Sequence, residues 1–164
     1  MYNDGVEQEL ARCEDEIVLL GRKIDELGVT NSLVPYLTKY AIIRGCGAIE
    51  QAFKSIIVDY CIVNCNVQVI NYLENKISRS SMNPSYENIC GLLKELDDNW
   101  HRRFKNEVNG HSNANLKTSL SSLVQLRNEF AHGGNPTASI QDVSTYFSDS
   151  RVIIYKLDTV IRTL

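Results

Sequence analysis

The sequence predicts an all-α protein folded as a helical bundle, and three observations point to that class. Apolar residues recur at three- and four-residue steps along most of the chain, as they do on the buried face of a helix. Alternating strand patterns are absent apart from the short run Arg151–Ile154, which could be misread as a strand. The length of 164 residues suits one ordinary domain, so we expect a single domain over residues 1–164.

The first predicted helix is amphipathic and acidic. The segment Glu7–Leu27 carries leucine and isoleucine at helical spacing among charged residues, and Gly28 ends it. Residues 1–26 hold eight acidic and three basic side chains, a local net charge of −5. The rest of the chain carries +2, so a small basic patch is expected outside this helix.

The second predicted helix is long and central. Asn31 or Ser32 is expected as its N-cap, and Pro35 falls in the first turn, where a missing N–H is harmless. Nothing breaks the helical pattern from there to about Val63 except two internal glycines, which long helices tolerate. The segment is therefore predicted as one continuous helix.

Three shorter helices are predicted next. Apolar spacing indicates a third helix over Val67–Ile77, which ends in the polar loop Ser78–Ser85. A short fourth helix carries the apolar positions of Ile89–Leu96. Asp97–Asp98 is a helix start signal, and apolar residues then repeat every fourth position over Trp100–Val108, which predicts a fifth helix.

The last two predicted helices flank a glycine-rich break. After a polar loop over Asn109–Asn115, an apolar stripe runs along Leu116–Phe130. The segment Gly133–Pro136 must stop this helix because it combines a C-cap signal with a breaker. Ser139 then caps a final helix that continues to the C-terminus.

Composition and charge exclude several classes of protein. With 43% apolar and 23% charged residues, the chain is typical of a globular protein and not of a disordered one. No apolar run approaches the roughly 20 residues of a membrane span. The N-terminus is acidic and polar where a signal peptide would be basic and then apolar. We therefore expect a cytoplasmic protein with no membrane partner.

The cysteines and standard motifs give no sign of a metal site or cofactor. The five cysteines are an odd number scattered through apolar segments, so we interpret Cys13, Cys46, Cys61, Cys65 and Cys90 as reduced core residues. The spacing of Cys61 and Cys65 would put both sulfurs on one helix face, but no histidine lies nearby in sequence to complete a zinc site. Phosphate-loop, dinucleotide, zinc-protease, calcium and nucleophile-elbow patterns are missing, so no metal and no cofactor are expected.

One segment departs from the apolar pattern. The stripe formed by Leu116, Leu120 and Leu123 continues to Arg127, where an inward guanidinium is costly unless it is paired. His132 follows five residues later, in the final turn of the same predicted helix. A helix C-terminus also favours a histidine, and an arginine can extend its charged end to solvent, so a structural role for both residues stays open.

These residues carry a resemblance to a known family. The segment Arg127–His132 has the form R-N-x3-H and resembles the signature of the HEPN superfamily of helical nucleases, R-x4-6-H with Asn, Asp or His commonly after the Arg. The stretch Tyr40–Phe53, rich in small residues and with an embedded acid, looks like the early core helix of the RiboL-PSP-HEPN subgroup. The resemblance covers residues 32–164, and the acidic helix over residues 1–28 is less diagnostic. The family resemblance implies an up-down four-helix core with additional helices.

The resemblance also implies a function. It points to a metal-independent endoribonuclease, of the toxin or antiviral-defence kind, that acts as a homodimer with two R-x4-H motifs facing each other across one cleft. Attack by the 2′-hydroxyl of RNA requires a base, an acid and a cation for the developing charge. One chain offers a single suitable histidine, so a two-fold axis would complete the site. An antitoxin or sensor protein is a further expected partner.

On this hypothesis the motif residues have distinct expected roles. Arg127 binds phosphate and stabilises transition-state charge, because its planar fork matches phosphate oxygens. His132 is the general acid and base, since an imidazole can do both near neutral pH. Asn128 orients the histidine or binds the scissile phosphate. Glu50 is expected to pair with Arg127 and hold its fork, with a solvated Glu50 as the alternative.

Two further expectations concern RNA and the alternative function. The basic cluster His101, Arg102, Arg103 and Lys105 is a candidate path for the RNA backbone, against an ordinary solvated helix face. The alternative to an active nuclease is a catalytically silent helical module that dimerises or binds a nucleotide or a regulatory partner. The active nuclease and the silent module are expected to have the same fold, so an activity measurement is needed to distinguish these two hypotheses.

Overall fold

In a computed structural model, which describes residues 1–135 and 137–163, the chain folds into seven α-helices. No strand occurs in these residues, and the run Arg151–Ile154 is helical, so the predicted all-α class is confirmed. The helices are α1 (Asp4–Leu27), α2 (Val34–Cys61), α3 (Val67–Leu73), α4 (Tyr86–Leu96), α5 (Asp98–Asn109), α6 (Leu116–Ala131) and α7 (Ile140–Arg162).

Four long helices form the core of the molecule. α2 packs against α1, α6 and α7, and α7 in turn packs against α1 and α6. The apolar faces predicted from helical spacing meet between them, so that Leu10, Phe53, Leu123 and Ile154 are all completely buried. α4 and α5 pack on each other, and α5 joins the core through α7. None of the helices in the described part of the chain is long and apolar enough to cross a membrane.

The helix starts predicted at Asp97 and Ser139 are confirmed. The Asp97 carboxylate accepts the backbone N–H of Trp100 at 2.9 Å, at the start of α5. The Ser139 hydroxyl accepts the N–H of Asp142 at 3.1 Å, and the Asp142 carboxylate accepts the N–H of Ser139 at 2.9 Å. This reciprocal pair is a capping box, and its hydrogen bonds hold the pKa of Asp142 below its usual value.

The start of α2 differs from the prediction. Leu33 occupies the N-cap position, and neither Asn31 nor Ser32 caps the helix. The Asn31 side chain instead accepts the N–H of Leu33 at 2.9 Å, because a turn over residues 29–33 precedes the helix. Pro35 lies in the first turn as expected. The helix has 28 residues and therefore spans about 42 Å.

A glycine in the middle of α2 sets how closely the core helices approach. A β-carbon at Gly45 would lie 3.3 Å from the Phe147 ring of α7 and 3.6 Å from the Ile17 side chain of α1. A β-carbon here would require the Phe147 ring to shift by a few tenths of an ångström, so packing and not backbone conformation favours the glycine. Gly47 faces open space instead.

The prediction of a third helix over Val67–Ile77 was only partly correct. The α-helix stops at Leu73, and a π-helical segment, Glu74–Ser78, follows it. The Arg79 N–H reaches the Glu74 carbonyl at 2.9 Å, which closes the wider turn. α3 has no buried residue, whereas Ile77 in the π-helical segment is buried. The buried side chain of Ile77 therefore anchors this region to the core, and α3 does not.

The cysteines are free thiols, but they do not all lie in the core. Cys13 and Cys46 are buried, whereas Cys61, Cys65 and Cys90 are half-buried. The expected placement of Cys61 and Cys65 on one helix face was wrong, because α2 ends at Cys61. The chain then turns at residue 64, which has a positive φ of 63°. No three His, Cys, Asp or Glu side chains gather as a metal site in the described ranges.

The acidic helix α1 is bound to α7 through its charges. Arg151 of α7 forms ion pairs with Glu7, at 3.2 Å, and with Glu14. The buried Asp158 carboxylate accepts the backbone N–H groups of Tyr2 and Asn3, just before α1 begins. Part of the negative charge of α1 therefore stabilises its docking on the bundle.

Candidate active site

The last two turns of α6 carry the sequence motif to the surface. Leu116, Leu120 and Leu123 are buried as predicted, and Arg127 continues their stripe. Its side chain is 37% exposed, so it lies at the edge of the core and not inside it. This position explains how a charge can follow an apolar stripe, because the guanidinium reaches solvent while its stem packs on the bundle.

Arg127 has one partner on its own helix and one on α2. Its Nη1 donates a hydrogen bond to Asn128 Oδ1 at 3.0 Å. Its Nη2 lies 3.7 Å from Glu50 Oε2, within ion-pair distance but longer than a hydrogen bond. The structure thus brings together three residues that the sequence singled out, Arg127, Asn128 and Glu50.

Glu50 is itself held by a residue that sequence reasoning missed. Lys54, one turn further along α2, donates to Glu50 Oε1 at 2.6 Å and to the Ser80 carbonyl at 2.6 Å. The Lys54 side chain is 1% exposed. The i,i+4 spacing of Glu50 and Lys54 was a visible signal for the ion pair. Nothing in the local sequence indicated that the ammonium would be buried.

The motif histidine stands at the end of α6. His132 is the C-cap residue, it is exposed, and its backbone N–H bonds to the Asn128 carbonyl at 3.0 Å. Its side chain therefore lies at the C-terminal end of α6. Arg127 and His132 occupy the same end of the same helix.

Two glycines fix the position of His132. Gly133 has a φ of +81°, and its N–H bonds to the Phe130 carbonyl at 3.0 Å. The Gly134 N–H bonds to the Glu129 carbonyl at 2.8 Å, which completes a Schellman motif. A β-carbon on Gly134 would lie 2.8 Å from that same carbonyl oxygen, so only glycine fits there without a shift.

A second lysine of α2 lies near this helix end. The Lys39 ammonium donates a hydrogen bond to the Asn135 side chain at 2.8 Å and lies 5.4 Å from the centre of the Phe130 ring. The first turns of α2 therefore contact the segment that follows His132. Lys39 was not predicted as part of the site, because only the packing of α2 on α6 brings it there.

A buried thiol lies beside the Glu50–Arg127 pair. Cys46 is one turn before Glu50 and completely buried, and burial raises the pKa of its thiol to about 11. Arg127 opposes this shift and Glu50 adds to it. The thiol therefore stays protonated near neutral pH and acts as an apolar packing group here.

The predicted RNA-binding residues do not behave as one cluster. Arg102 and Lys105 are exposed on α5. Arg103 instead donates to the carbonyl and hydroxyl of Thr163, at the end of α7. Its guanidinium binds the C-terminal end of a core helix, which a sequence pattern cannot indicate. Arg102 and Lys105 remain as the exposed cations of the predicted set.

One comparison with known proteins gave a match. A family model described as RiboL-PSP-HEPN matches residues 8–163. The matched range contains the whole Arg127–His132 segment and Glu50, and it begins inside α1. Neither the curated proteins nor the solved structures gave a match.

Proposed function

The chain belongs to the RiboL-PSP-HEPN family, and we propose that it is a metal-independent endoribonuclease whose active residues are Arg127 and His132. The observation that carries this proposal is the placement of both side chains at one end of α6, with access to solvent. A guanidinium and an imidazole at the surface are the groups that phosphodiester cleavage requires.

The chemistry assigns a step to each residue. The 2′-hydroxyl of RNA attacks the adjacent phosphorus while an imidazole takes its proton, and a second proton goes to the departing 5′-oxygen. The Arg127 fork suits the equatorial oxygens, whose charge increases in the transition state. Asn128 holds the guanidinium through its Oδ1.

We place the complete site in a homodimer. Each chain offers one histidine at this site, and two proton transfers are needed, so a two-fold axis would supply the second imidazole. An exposed apolar stripe on α2 supports a second copy as the partner, since Tyr36, Tyr40 and Ile43 are 69%, 52% and 45% exposed. Helical spacing puts Ile43 on the same face as Glu50, and Gly47 between them leaves room for close approach.

We further propose that cleavage serves as a toxin or antiviral effector, held in check by an antitoxin or sensor protein. Expression of the wild-type chain in bacteria should then slow growth, and His132→Ala should relieve the effect. Equal growth with both chains would contradict an effector role and leave the cleavage experiment to decide the enzymatic one.

The direct test is cleavage of RNA by the purified protein. Total RNA should be cut to products that end in a 2′,3′-cyclic phosphate, and EDTA should leave the rate unchanged, since the side chains supply both proton transfers and the cation. Uniform 3′-hydroxyl ends that disappear with EDTA would indicate a metal-dependent nuclease instead. RNA binding without any cleavage would favour the catalytically silent module.

A further inference from the structure

Lys54 is the most completely buried charged side chain next to the proposed site. Its side chain is 1% exposed, and that of its partner Glu50 is 13% exposed. Moving an ammonium out of water costs several kcal/mol, so it requires close partners. Lys54 has two, the Glu50 carboxylate and the Ser80 carbonyl, each at 2.6 Å.

The Ser80 carbonyl is held in place by the π-helical segment Glu74–Ser78. Both the N–H and the hydroxyl of Ser80 bond to the Ile77 carbonyl, at 3.2 and 2.8 Å. Ile77 itself is buried in the core. This carbonyl therefore gives the Lys54 ammonium a partner that is not one of the motif residues.

Glu50 is shared between two cations. Its Oε1 accepts the Lys54 ammonium, while its Oε2 faces the Arg127 guanidinium at the longer distance of 3.7 Å. A carboxylate with both oxygens available would form a bidentate pair with an arginine fork. Lys54 occupies one oxygen of Glu50. Two cations, Lys54 and Arg127, therefore share one carboxylate, and the exposed guanidinium keeps net positive charge.

We infer that Lys54 is a positioning residue that prevents Glu50 from neutralising Arg127, and so keeps the guanidinium available to a phosphodiester. The inference rests on the proposed function, because it assigns the anion that Arg127 binds. Without the ammonium, Glu50 would be free to turn both oxygens to Arg127 and compete with phosphate for its fork. Lys54 itself touches no substrate in this scheme.

The test compares binding in variants of the full-length protein. Lys54→Met should raise both the KM for RNA and the Kd for a 2′-O-methyl oligoribonucleotide, which cannot be cleaved, by about tenfold. The double variant Glu50→Gln with Lys54→Met should have KM and Kd values at least about threefold lower than those of Lys54→Met alone, because no carboxylate remains to occupy Arg127. Lys94→Met, which removes an exposed lysine of α4, is the matched control and should change nothing.

Two results would overturn the inference while leaving the nuclease intact. One is a Lys54→Met protein that binds and cleaves like wild type. The other is a double variant as weak as Lys54→Met, since Lys54 would then act only through the stability of the fold. If Lys54→Met does not fold, Lys54→Gln takes its place. It removes the charge but keeps an N–H donor, so KM and Kd should rise in the same direction by a smaller factor.

A failure of the proposed function is recognised separately. A wild-type protein that neither binds nor cleaves RNA contradicts the nuclease proposal without reference to Lys54. The same variants are then titrated with inorganic phosphate while NMR follows the side-chain N–H signals of Arg127. Weaker phosphate binding by Lys54→Met, with recovery in the double variant, would still support the positioning role, and equal binding would end it.

Discussion

The Arg127 guanidinium lies between open solvent and the Glu50 carboxylate, which already accepts a hydrogen bond from Lys54. Glu50 therefore has a partner other than the guanidinium. Removing Arg127 therefore leaves no buried charge without a partner, which is the usual cause of severe destabilisation. His132 is exposed and contributes mainly backbone hydrogen bonds to the helix end. Function and stability can accordingly be separated at these two positions.

We expect Arg127→Ala and His132→Ala each to reduce RNA cleavage by at least about 100-fold, the usual effect of losing a positioned charge or acid–base group. The thermal midpoint should change little, because the lost ion pair is partly exposed and worth at most about 1 kcal/mol. Cleavage rates and thermal unfolding are measured on the same preparations. Arg22→Ala, an exposed arginine of α1, is the control and should retain full activity. Normal cleavage together with a much lower melting temperature would assign both residues a structural role.

The C-terminus of α6 is the element that determines where the imidazole stands. Its Schellman motif uses a glycine in the left-handed region, followed by a glycine in close contact with the Glu129 carbonyl. The chain reverses immediately after the histidine, so His132 is the last residue that the helix can position. The backbone conformation required of Gly133 and the position of the His132 side chain are therefore coupled.

Gly133→Ala should lower stability by about 1 kcal/mol, because an L-residue with a β-carbon is strained at a φ of +81°. For a protein of this size the melting temperature should fall by roughly 2–4 °C. Cleavage should fall as well, since relaxation of the turn moves His132. Gly133→Asn is the informative comparison, because asparagine tolerates this conformation and should lose less of both. An alanine variant as stable and active as wild type would show that the turn is not constrained.

At the scale of the whole molecule, the distribution of charge and apolar surface matters more than the net charge of −3. Much of the acidic character belongs to α1, where Glu7 and Glu14 pair with Arg151. A groove of about 660 Å³ runs between α1 and α2, and Ile43 and Gly47 line one of its sides. One of its walls is the helix that carries Glu50, and the proposed homodimer would use this face of α2.

We expect Ile43→Asp to produce a folded monomer without nuclease activity, because a buried carboxylate would destabilise an apolar interface. Sedimentation and cleavage at the same protein concentration test this. Leu19→Asp introduces the same charge at an exposed position of α1 and should leave the dimer intact. Co-expressed Arg127→Ala and His132→Ala chains should form mixed dimers with some activity, while either variant alone is silent. A fully active wild-type monomer would contradict the composite site.

The sequence by itself determined the helices apart from the end of α3, the helix starts at Asp97 and Ser139, and the Arg127–His132 motif. These features depend on interactions within a few residues, such as helical periodicity, the Ser139 capping box and the glycines after His132. The family resemblance rests on the same local pattern. The N-cap of α2 and the end of α3 were missed because a turn at Asn31 and the burial of Ile77 outweighed the local helix signals.

Only the tertiary structure decided which charges meet. Lys54 is buried because the π-helical segment and its loop cover that part of α2, and Arg103 is bound by Thr163 because α5 packs on α7. The same residue types on an exposed helix face would carry no such partners. Pairing energies depend on distance and on removal from water, and both are set by how helices pack across tens of residues, so spacing along the chain cannot reveal them.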